Sequence, residues 1–264
     1  MLFVLSLTLL SRTTVAVPIL HWKFDESSGA TAADSAPTAG PDGGDNAGTL
    51  ENFPSPTDGR WVTGVSGNAL EFDGSNDRVI DDFSTDISPS SYTVALWART
   101  SAPDQSLYNG LFSSRPTGGG SIDTFQIDTD GLGNYRFFTD NETGILSELS
   151  FGAVKTNTWQ HLAAVADGSN LTLFVDGKET NSGTLAAGEA ERLSAFVAGA
   201  NRADSRYFDG VIDDIQFYDT SLSSSQISFI HANPGQLVPE PTLGGMIVLF
   251  GLIMLYGRRP EGAR

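Results

Sequence analysis

Apolar and polar residues alternate with a period of two along the middle of the chain. In ILHWKF, residues 19–24, the side chains of Leu20, Trp22 and Phe24 fall on one face of an extended segment, because successive strand residues point to opposite faces. The segment SYTVALWAR, residues 91–99, is largely apolar on both faces, which predicts a strand in the middle of a sheet. The period of two, rather than the 3.6 of a helix, predicts an all-β chain.

Turn-forming sequences separate the alternating segments. The stretch WQHLAAVADGSNLTLFVDGKE predicts strands at residues 162–166 and 171–175, a turn at 167–170 between them and a second turn at Asp176 and Gly177. Such turns recur about every ten residues, as in sandwiches and barrels. Further strands are predicted at residues 69–72, 110–113, 125–128, 135–139, 193–198 and 210–218.

Helix-forming sequence before the last 27 residues is confined to SLSSSQISFIHA, residues 221–232. Serines that can cap a helix precede Ile227, Phe229 and Ile230, which predicts a two-turn helix after the last strand. Residues 29–60 are rich in Gly, Pro, Asp and Ala, and they predict a long surface loop with one short strand near residues 49–52.

The chain is strongly acidic. It has 15 Lys and Arg residues against 32 Asp and Glu, a formal net charge of -17, which disfavours nucleic acid as a partner. It has no cysteine, so the fold depends on its hydrophobic core and not on disulfides. With 264 residues, of which 39% are hydrophobic, the chain can bury such a core in one domain.

The first 16 residues predict a secretory signal peptide. Residues 2–10 are apolar, and the small residues Thr14 and Ala16 offer a cleavage site before Val17. No basic residue precedes the apolar stretch, and the alternative is a buried first strand.

The C-terminal end contains an apolar segment, residues 243–257, closed by Arg258 and Arg259. Fifteen residues of helix cover about 22 Å, less than the ~30 Å of a bilayer core, so the segment predicts a marginal transmembrane helix. The two arginines would hold its C-terminal end on the cytoplasmic side and leave the rest of the protein outside the cytoplasm.

This end as a whole, from VPEP through the apolar segment to GRR, resembles the PEP-CTERM sorting signal of Gram-negative bacteria. Pro239, Glu240 and Pro241 carry the motif, and Arg258 and Arg259 complete it. The resemblance implies that an exosortase recognises and removes the tail after transient insertion in the inner membrane. It also implies export to the cell envelope or the extracellular matrix, in organisms that form exopolysaccharide and biofilm. The alternative is a permanent C-terminal anchor.

Five segments, in order, resemble the LamG-like jelly-roll domains of the concanavalin A-like lectin/glucanase superfamily. They are HWKFDESSGATAADSA, GNALEFDGSNDRVI, SYTVALWAR, TWQHLAAVADGSNLTLFVDGKE and FDGVIDDIQFYDTSLSSSQI, within residues 19–232. The resemblance implies a two-sheet sandwich over residues 17–235, between a signal peptide at 1–16 and the sorting segment at 236–264. This superfamily includes lectins, adhesion modules and glycosidases, so the fold alone leaves the function open.

A calcium site is a candidate at the segment FDGSND. Asp73, Asn76 and Asp77 offer oxygen ligands within five residues, and a hard cation such as calcium takes six to eight oxygens. The resemblance implies structural or ligand-bridging calcium at loops of this kind. The alternative is a hairpin turn, because Asp-Gly is also a strong turn signal. Asp213 and Asp214 are adjacent on a strand and should face opposite sides, so they are not expected to chelate jointly.

The sequence lacks a complete set of catalytic residues for glycoside hydrolysis or for a histidine-based triad. Glu71 and Asp73 lie two apart on a strand and so share a face, but the further glutamate of the related glucanases is missing, and retaining glycosidases need two carboxyl groups in defined roles. The three histidines show no triad or metal-ligand spacing. We therefore expect a protein that is not an enzyme.

Aromatic residues near loops are candidates for ligand contact. Tyr108, Tyr135 and Tyr207 have this placement, and an accessible ring with polar neighbours can stack on a sugar. The sequence thus predicts an exported binding or adhesion module for carbohydrate or another matrix polymer, such as a glycoprotein. A polysaccharide-active hydrolase and a structural matrix protein without a ligand are the alternatives.

Overall fold

The alternating segments form strands, as their period requires. The structure is a computed structural model that describes residues 16–40, 43–115, 124–140, 146–185, 193–201, 203 and 205–239. Val17–Val238 belong to one compact unit. The predicted signal peptide, except Ala16, and the sorting segment from Glu240 onward lie outside the described residues, and so does the apolar segment 243–257. Among the residues described, no helix has the length and apolar character needed to cross a membrane.

The strands are numbered in chain order. They are β1 Pro18–Trp22, β2 Thr31–Ala32, β3 Gly48–Glu51, β4 Trp61–Thr63, β5 Asn68–Asp73, β6 Arg78–Ile87, β7 Ser91–Arg99, β8 Gly110–Arg115, β9 Thr124–Thr129, β10 Asn134–Asp140, β11 Leu146–Ala153, β12 Gln160–Asp167, β13 Asn170–Val175, β14 Lys178–Thr184, β15 Leu193–Ala198 and β16 Asp209–Tyr218. A 3₁₀ helix, Thr57–Arg60, precedes β4, and one α-helix, α1 Ser224–Ala232, follows β16.

The strands form two sheets. Sheet A has the order β14-β13-β12-β7-β16-β5-β4, with β1 also paired to β16, and sheet B has the order β11-β10-β9-β8-β15-β6-β3-β2. The pairings between these strands are antiparallel. The prediction of an all-β, two-sheet sandwich with one short helix is therefore confirmed, and the arrangement fits a jelly roll. Strand β7 lies between β12 and β16, as its two apolar faces predict.

Several strands carry too little apolar alternation to be predicted, namely β2, β4, β6, β11 and β14. Strand β14, KETNSGT, lies at the edge of sheet A, and its side chains are exposed or half-buried. An edge strand with little burial needs no apolar face, so its sequence does not differ from that of a loop.

Aromatic side chains from both sheets meet between them. Phe217 and Tyr92 come from sheet A, and Phe125 and Phe196 come from sheet B. The ring centre of Phe217 lies 4.8 Å from that of Phe196 and 5.6 Å from that of Phe125, which in turn lies 5.4 Å from that of Tyr92. All four rings are buried. Such pairs stabilise a fold by about 0.5–1.5 kcal/mol beyond their buried area, so this cluster holds the two sheets together.

Helix α1 begins at a capping box, in which Ser223 accepts from the backbone N–H of Gln226 and the Gln226 side chain accepts from the backbone N–H of Ser223. The helix packs on the outer face of sheet A. There the ring centre of His231 lies 5.3 Å from that of Trp97 and 5.7 Å from that of His161. The serine-rich cap and the two-turn length both agree with the sequence prediction.

A bulge in β16 directs two adjacent carboxylates to different partners. The register with β7 shifts after Asp213, and Asp214 has a left-handed φ of 49°. One Asp213 oxygen accepts from the backbone N–H groups of Val65 and Ser66 at 2.7 and 3.2 Å, whereas Asp214 lies 2.7 Å from the Nε2 atom of His21. The two carboxylates contact different groups because of the bulge and not because of strand alternation, which is interrupted here: Ile212 and Ile215 both belong to the core.

Candidate functional site

The predicted calcium ligands and the predicted ligand-binding tyrosines lie at the same end of the sandwich. Strand β5 ends at the turn 73–77, and β7 leads into the loop 101–109. Gln105 of this loop exchanges two hydrogen bonds of 2.9 Å with the backbone of Asp209. Gly74 packs so closely on Asp209 that an added Cβ would lie 2.8 Å from its Cβ. We call this end, formed by residues 73–77, 101–109, 130–133 and 205–208, the rim.

Tyr108 is held in an unfavourable backbone conformation at the rim. Its φ is 72°, a region that costs a non-glycine residue on the order of 1–3 kcal/mol. Hydrogen bonds to β9 enforce this conformation, because the N–H of Tyr108 donates to the carbonyl of Thr129 at 2.8 Å and the Thr129 hydroxyl donates to the carbonyl of Ser106 at 2.7 Å. The residue is nevertheless 37% exposed, so this backbone conformation leaves an aromatic residue open to solvent.

Two leucines extend this surface. Leu107 is 38% exposed and Leu132 is 84% exposed, and with Tyr108 they are the large apolar side chains that the described part of the chain leaves exposed. Their loops are in contact, since an added Cβ on Gly131 would lie 3.0 Å from the Leu107 nitrogen. Asp130 accepts from the Leu132 N–H at 2.7 Å, which keeps Leu132 at the tip of its turn. We call Leu107, Tyr108 and Leu132 the rim patch.

Polar side chains of sheet B lie behind the ring of Tyr108. The central guanidinium carbon of Arg136 lies 4.7 Å from the centre of this ring. Arg136 donates from Nε and Nη2 to the two oxygens of Asp128 at 2.9 and 2.8 Å, and from Nη1 to Glu148 at 2.7 Å. Asp128 also accepts from the side chain of Gln126. Asp128 is fully buried, whereas the Glu148 side chain is 59% exposed, so the network connects a buried carboxylate to an exposed one.

The three predicted ligand-binding tyrosines have different environments. Tyr108 is in the rim patch, and Tyr207 is half-buried beside it, bridged to Gly110. Tyr135 is 1% exposed and belongs to the hydrophobic core, so its ring cannot contact a ligand from solvent. Burial raises the pKa of its hydroxyl far above the ordinary value. The neighbouring Arg136 occupies the outer face instead, because alternate residues of β10 face opposite sides.

Sequence reasoning missed Arg136, Leu107 and Leu132. The alternation of β10 carried the signal for Arg136, since a buried Tyr135 and Phe137 place Arg136 on the outside of sheet B. No sequence pattern distinguishes the two leucines from ordinary loop residues, because their exposure depends on how two separate loops meet.

The predicted calcium ligands lie around an arginine. Arg60 donates to Asp73 at 3.0 Å, and its Nη2 atom lies 3.8 Å from an Asp77 oxygen. The other Asp73 oxygen accepts from the N–H of Ser75 at 2.9 Å, and the carbonyl of Asn76 accepts from the Asn52 side chain at 3.1 Å. The guanidinium supplies positive charge where calcium would, so calcium at these residues stays a prediction and would have to compete with Arg60.

Asp77 has a buried carboxylate oxygen that lacks a hydrogen-bond partner. It is 1% exposed, and its Oδ1 atom has no hydrogen-bond partner. Burial, and next the negative charge of Asp73, raises the pKa of Asp77 above its ordinary value, against the opposing effect of Arg60. Among the residues described, no group of three or more His, Cys, Asp or Glu side chains is arranged to hold a metal ion.

The carboxylate pair considered for glycoside hydrolysis belongs to the same cluster. Glu71 lies 3.7 Å and Asp73 lies 3.0 Å from the guanidinium of Arg60. Acid and nucleophile in a glycosidase need two different environments, whereas these two side chains share one cation. Their arrangement is that of an ion-pair cluster at the surface.

Comparisons with known proteins agree with the two-sheet fold. A family model described as the concanavalin A-like lectin/glucanases superfamily matches residues 72–228. No curated protein sequence matches the chain. Domain 4 of AbnA, a GH43 extracellular arabinanase from Geobacillus stearothermophilus solved in complex with arabinotriose, is 21% identical, with a TM-score of 0.58, over 83% of this chain and 100% of that domain.

Toxin binding domains are also similar in structure. The ligand binding domain of botulinum neurotoxin serotype D, solved in complex with N-acetylneuraminic acid, is 14% identical, with a TM-score of 0.56, over 80% of this chain and 52% of that one. The binding domain of Paraclostridial Mosquitocidal Protein 1 is 14% identical, with a TM-score of 0.60, over 81% of this chain and 52% of that one. This chain thus matches about half the length of these toxin domains, and at this identity the likeness concerns the fold alone.

Proposed function

Because this chain belongs to the concanavalin A-like lectin/glucanases superfamily, we propose that it is a non-enzymatic module that binds carbohydrate, or another matrix polymer such as a glycoprotein, through the rim patch. The observation that carries the proposal is the exposed ring of Tyr108, held at a φ of 72° over the guanidinium of Arg136. A rigid ring with polar neighbours suits the apolar face and the hydroxyl groups of a sugar.

Two of the structural relatives support a carbohydrate ligand. The arabinanase domain was solved with arabinotriose, and the neurotoxin domain was solved with N-acetylneuraminic acid. These ligands belong to those proteins, but they agree with a rim that exposes one aromatic ring between loops. The ion-pair cluster of Glu71 and Asp73 around Arg60 favours binding over hydrolysis.

We further propose that the protein acts outside the cytoplasm, at the cell envelope or in the extracellular matrix of a Gram-negative bacterium. The PEP-CTERM-like tail, with Pro239, Glu240 and Pro241 before an apolar segment and Arg258 and Arg259 after it, motivates an exosortase as the processing partner. Intact mass of the protein recovered from its host tests this proposal. A mature mass that still includes residues 243–264 would argue for a permanent anchor.

Calcium belongs to the proposal as a structural ion at the rim, with Asp73, Asn76 and Asp77 as its ligands. It would supply charge and rigidity to the turn 73–77 and no chemistry. The unpartnered Oδ1 atom of Asp77 supports this assignment, and the contacts of Arg60 oppose it. Nucleic acid is not expected as a partner because the chain is acidic.

The test is a panel of soluble polysaccharides, assayed by affinity electrophoresis and by release of reducing sugar, with the full-length protein in a mild detergent. We expect retardation by at least one glycan without release of sugar. Tyr108→Ala should lose this retardation, whereas Phe229→Ala, which removes a half-buried aromatic of α1, should keep it. Release of sugar would favour the hydrolase alternative, and no response in either assay would favour a structural protein without a ligand.

A further inference from the structure

The positive charge next to the rim patch is already neutralised. Three N–H groups of Arg136 bond to carboxylate oxygens, two of them on Asp128 and one on Glu148. Asp128 is fully buried, so releasing Arg136 to a ligand would cost it the two hydrogen bonds of a buried ion pair. Arg136 therefore supports the ring of Tyr108 and is not a receptor for an anion.

The charges that the structure describes around the patch are mainly negative. Burial alone would raise the pKa of Asp130, but hydrogen bonds from the side chain and N–H of Asn134 and from the N–H of Leu132 outweigh it and lower the pKa below the ordinary value. Asp130 is thus ionised at neutral pH. Asp130 is half-buried, whereas Glu148 and Asp104 are exposed at this end of the sandwich.

Within the part of the chain that the structure describes, Arg206 is the other cation beside the patch. Arg206 is exposed, and its Nη1 atom donates to the carbonyl of Leu107 at 3.1 Å. Among the residues described at this end, the exposed Arg206 is accompanied by the exposed Asp104 and Glu148 and by the half-buried Asp130. The whole chain carries a net charge of -17. Like charges on a protein and its ligand lower affinity and slow association.

We infer that the ligand of the rim patch is an uncharged glycan, a conclusion that rests on the proposed sugar-binding function. Its hydroxyl groups can hydrogen-bond to Glu148 and Asp130 as donors, and its apolar face can stack on Tyr108. A glycan that carries carboxylates or sulfates would instead be repelled by these same side chains.

The experiment compares neutral and anionic polysaccharides on the full-length protein in a mild detergent. Linear arabinan and laminarin are the neutral probes, and alginate and polygalacturonate are the anionic ones. Affinity electrophoresis is run from about 20 to 500 mM NaCl, because screening at high salt weakens charge-driven binding, and in parallel with EDTA and with calcium. Variants are Tyr108→Ala, Arg206→Gln and, as a remote control, Phe229→Ala.

We expect a neutral glycan to bind at least tenfold more tightly than either anionic one, with less than a twofold change across the salt range. Tyr108→Ala should abolish this binding, and Arg206→Gln should change it by less than twofold. An anionic glycan that binds more tightly, depends on salt or on calcium, and still requires Tyr108 would overturn the neutral ligand while leaving the binding function intact. Absence of binding to all four probes would count against both.

Discussion

The central guanidinium carbon of Arg136 lies 4.7 Å from the centre of the Tyr108 ring, while its Nε and Nη2 atoms bond to both oxygens of Asp128. One side chain thus connects a buried carboxylate to an exposed aromatic ring. Because Asp128 fixes Arg136 and Arg136 supports Tyr108, the position of the ring depends on the buried Asp128 of β9 and not only on its own loop.

Removal of the arginine should therefore destabilise the fold. We expect Arg136→Gln to lower the free energy of unfolding by about 3 kcal/mol, because it removes the guanidinium that bonds to both oxygens of the fully buried Asp128. Urea unfolding measures the change. The double variant with Asp128→Asn should lose less than the sum of the two single variants, since each single change breaks the same pair. Additive losses would mean that the two groups are not coupled.

Leu132 should contribute to binding without contributing to stability. It is 84% exposed, and surface substitutions usually change stability by less than about 0.5 kcal/mol. We expect Leu132→Ala to weaken glycan binding severalfold, measured by isothermal titration calorimetry on the glycan that the panel identifies. Its melting temperature should stay that of the wild type. Unchanged affinity would remove Leu132 from the patch.

Asp213 should make the protein less stable as the pH rises. Burial raises the pKa of this carboxyl from 3.8 to about 7, so the folded state holds a proton that the unfolded state releases. The stability from this group is complete below pH 3.8 and is lost as the pH rises toward 7. Urea unfolding between pH 4 and pH 8 should show that Asp213→Asn removes this component. A difference between wild type and variant that does not vary with pH would contradict the assignment.

His161 should have the opposite effect. Burial, assisted by the adjacent His231, lowers the pKa of His161 from 6.5 to about 4. The unfolded state then binds a proton that the folded state excludes, so stability is complete above pH 6.5 and is lost as the pH falls toward 4. His161→Phe keeps a ring beside Trp97, which lies 5.2 Å away between ring centres, and should abolish this loss in the same unfolding series. A persistent slope in the variant would assign it to another group.

Calcium should act most strongly when Arg60 is absent. Without its guanidinium, the carboxylates of Glu71, Asp73 and Asp77 repel one another, so Arg60→Met should lower the melting temperature. Millimolar calcium should restore more of that loss in the variant than it adds to the wild type, because calcium prefers carboxylate oxygens. Thermal unfolding with EDTA and then with calcium measures both. No response to calcium in either protein would exclude an ion at this turn.

The sequence by itself determined which residues face the core and where the chain turns. Side-chain direction in a strand depends only on neighbours along the chain, so the alternation of Leu20, Trp22 and Phe24 identified three buried residues. The turn at Asp176 and Gly177 was also local, and both residues adopt the left-handed φ that an Asp-Gly hairpin needs.

Only the tertiary structure decided which of these residues meet. Tyr108 contacts Arg136 from a separate loop, and Arg60 of the 3₁₀ helix contacts Asp73 at the end of β5. His21 bonds to Asp214, which is 193 residues away in the sequence. These contacts follow from the order of strands in the two sheets, and pairing between distant strands leaves no periodic trace in either segment. The burial of Tyr135 was, by contrast, encoded locally: its place near a loop suggested a ligand contact, but it alternates with Arg136 and shares the core face of its strand with Phe137.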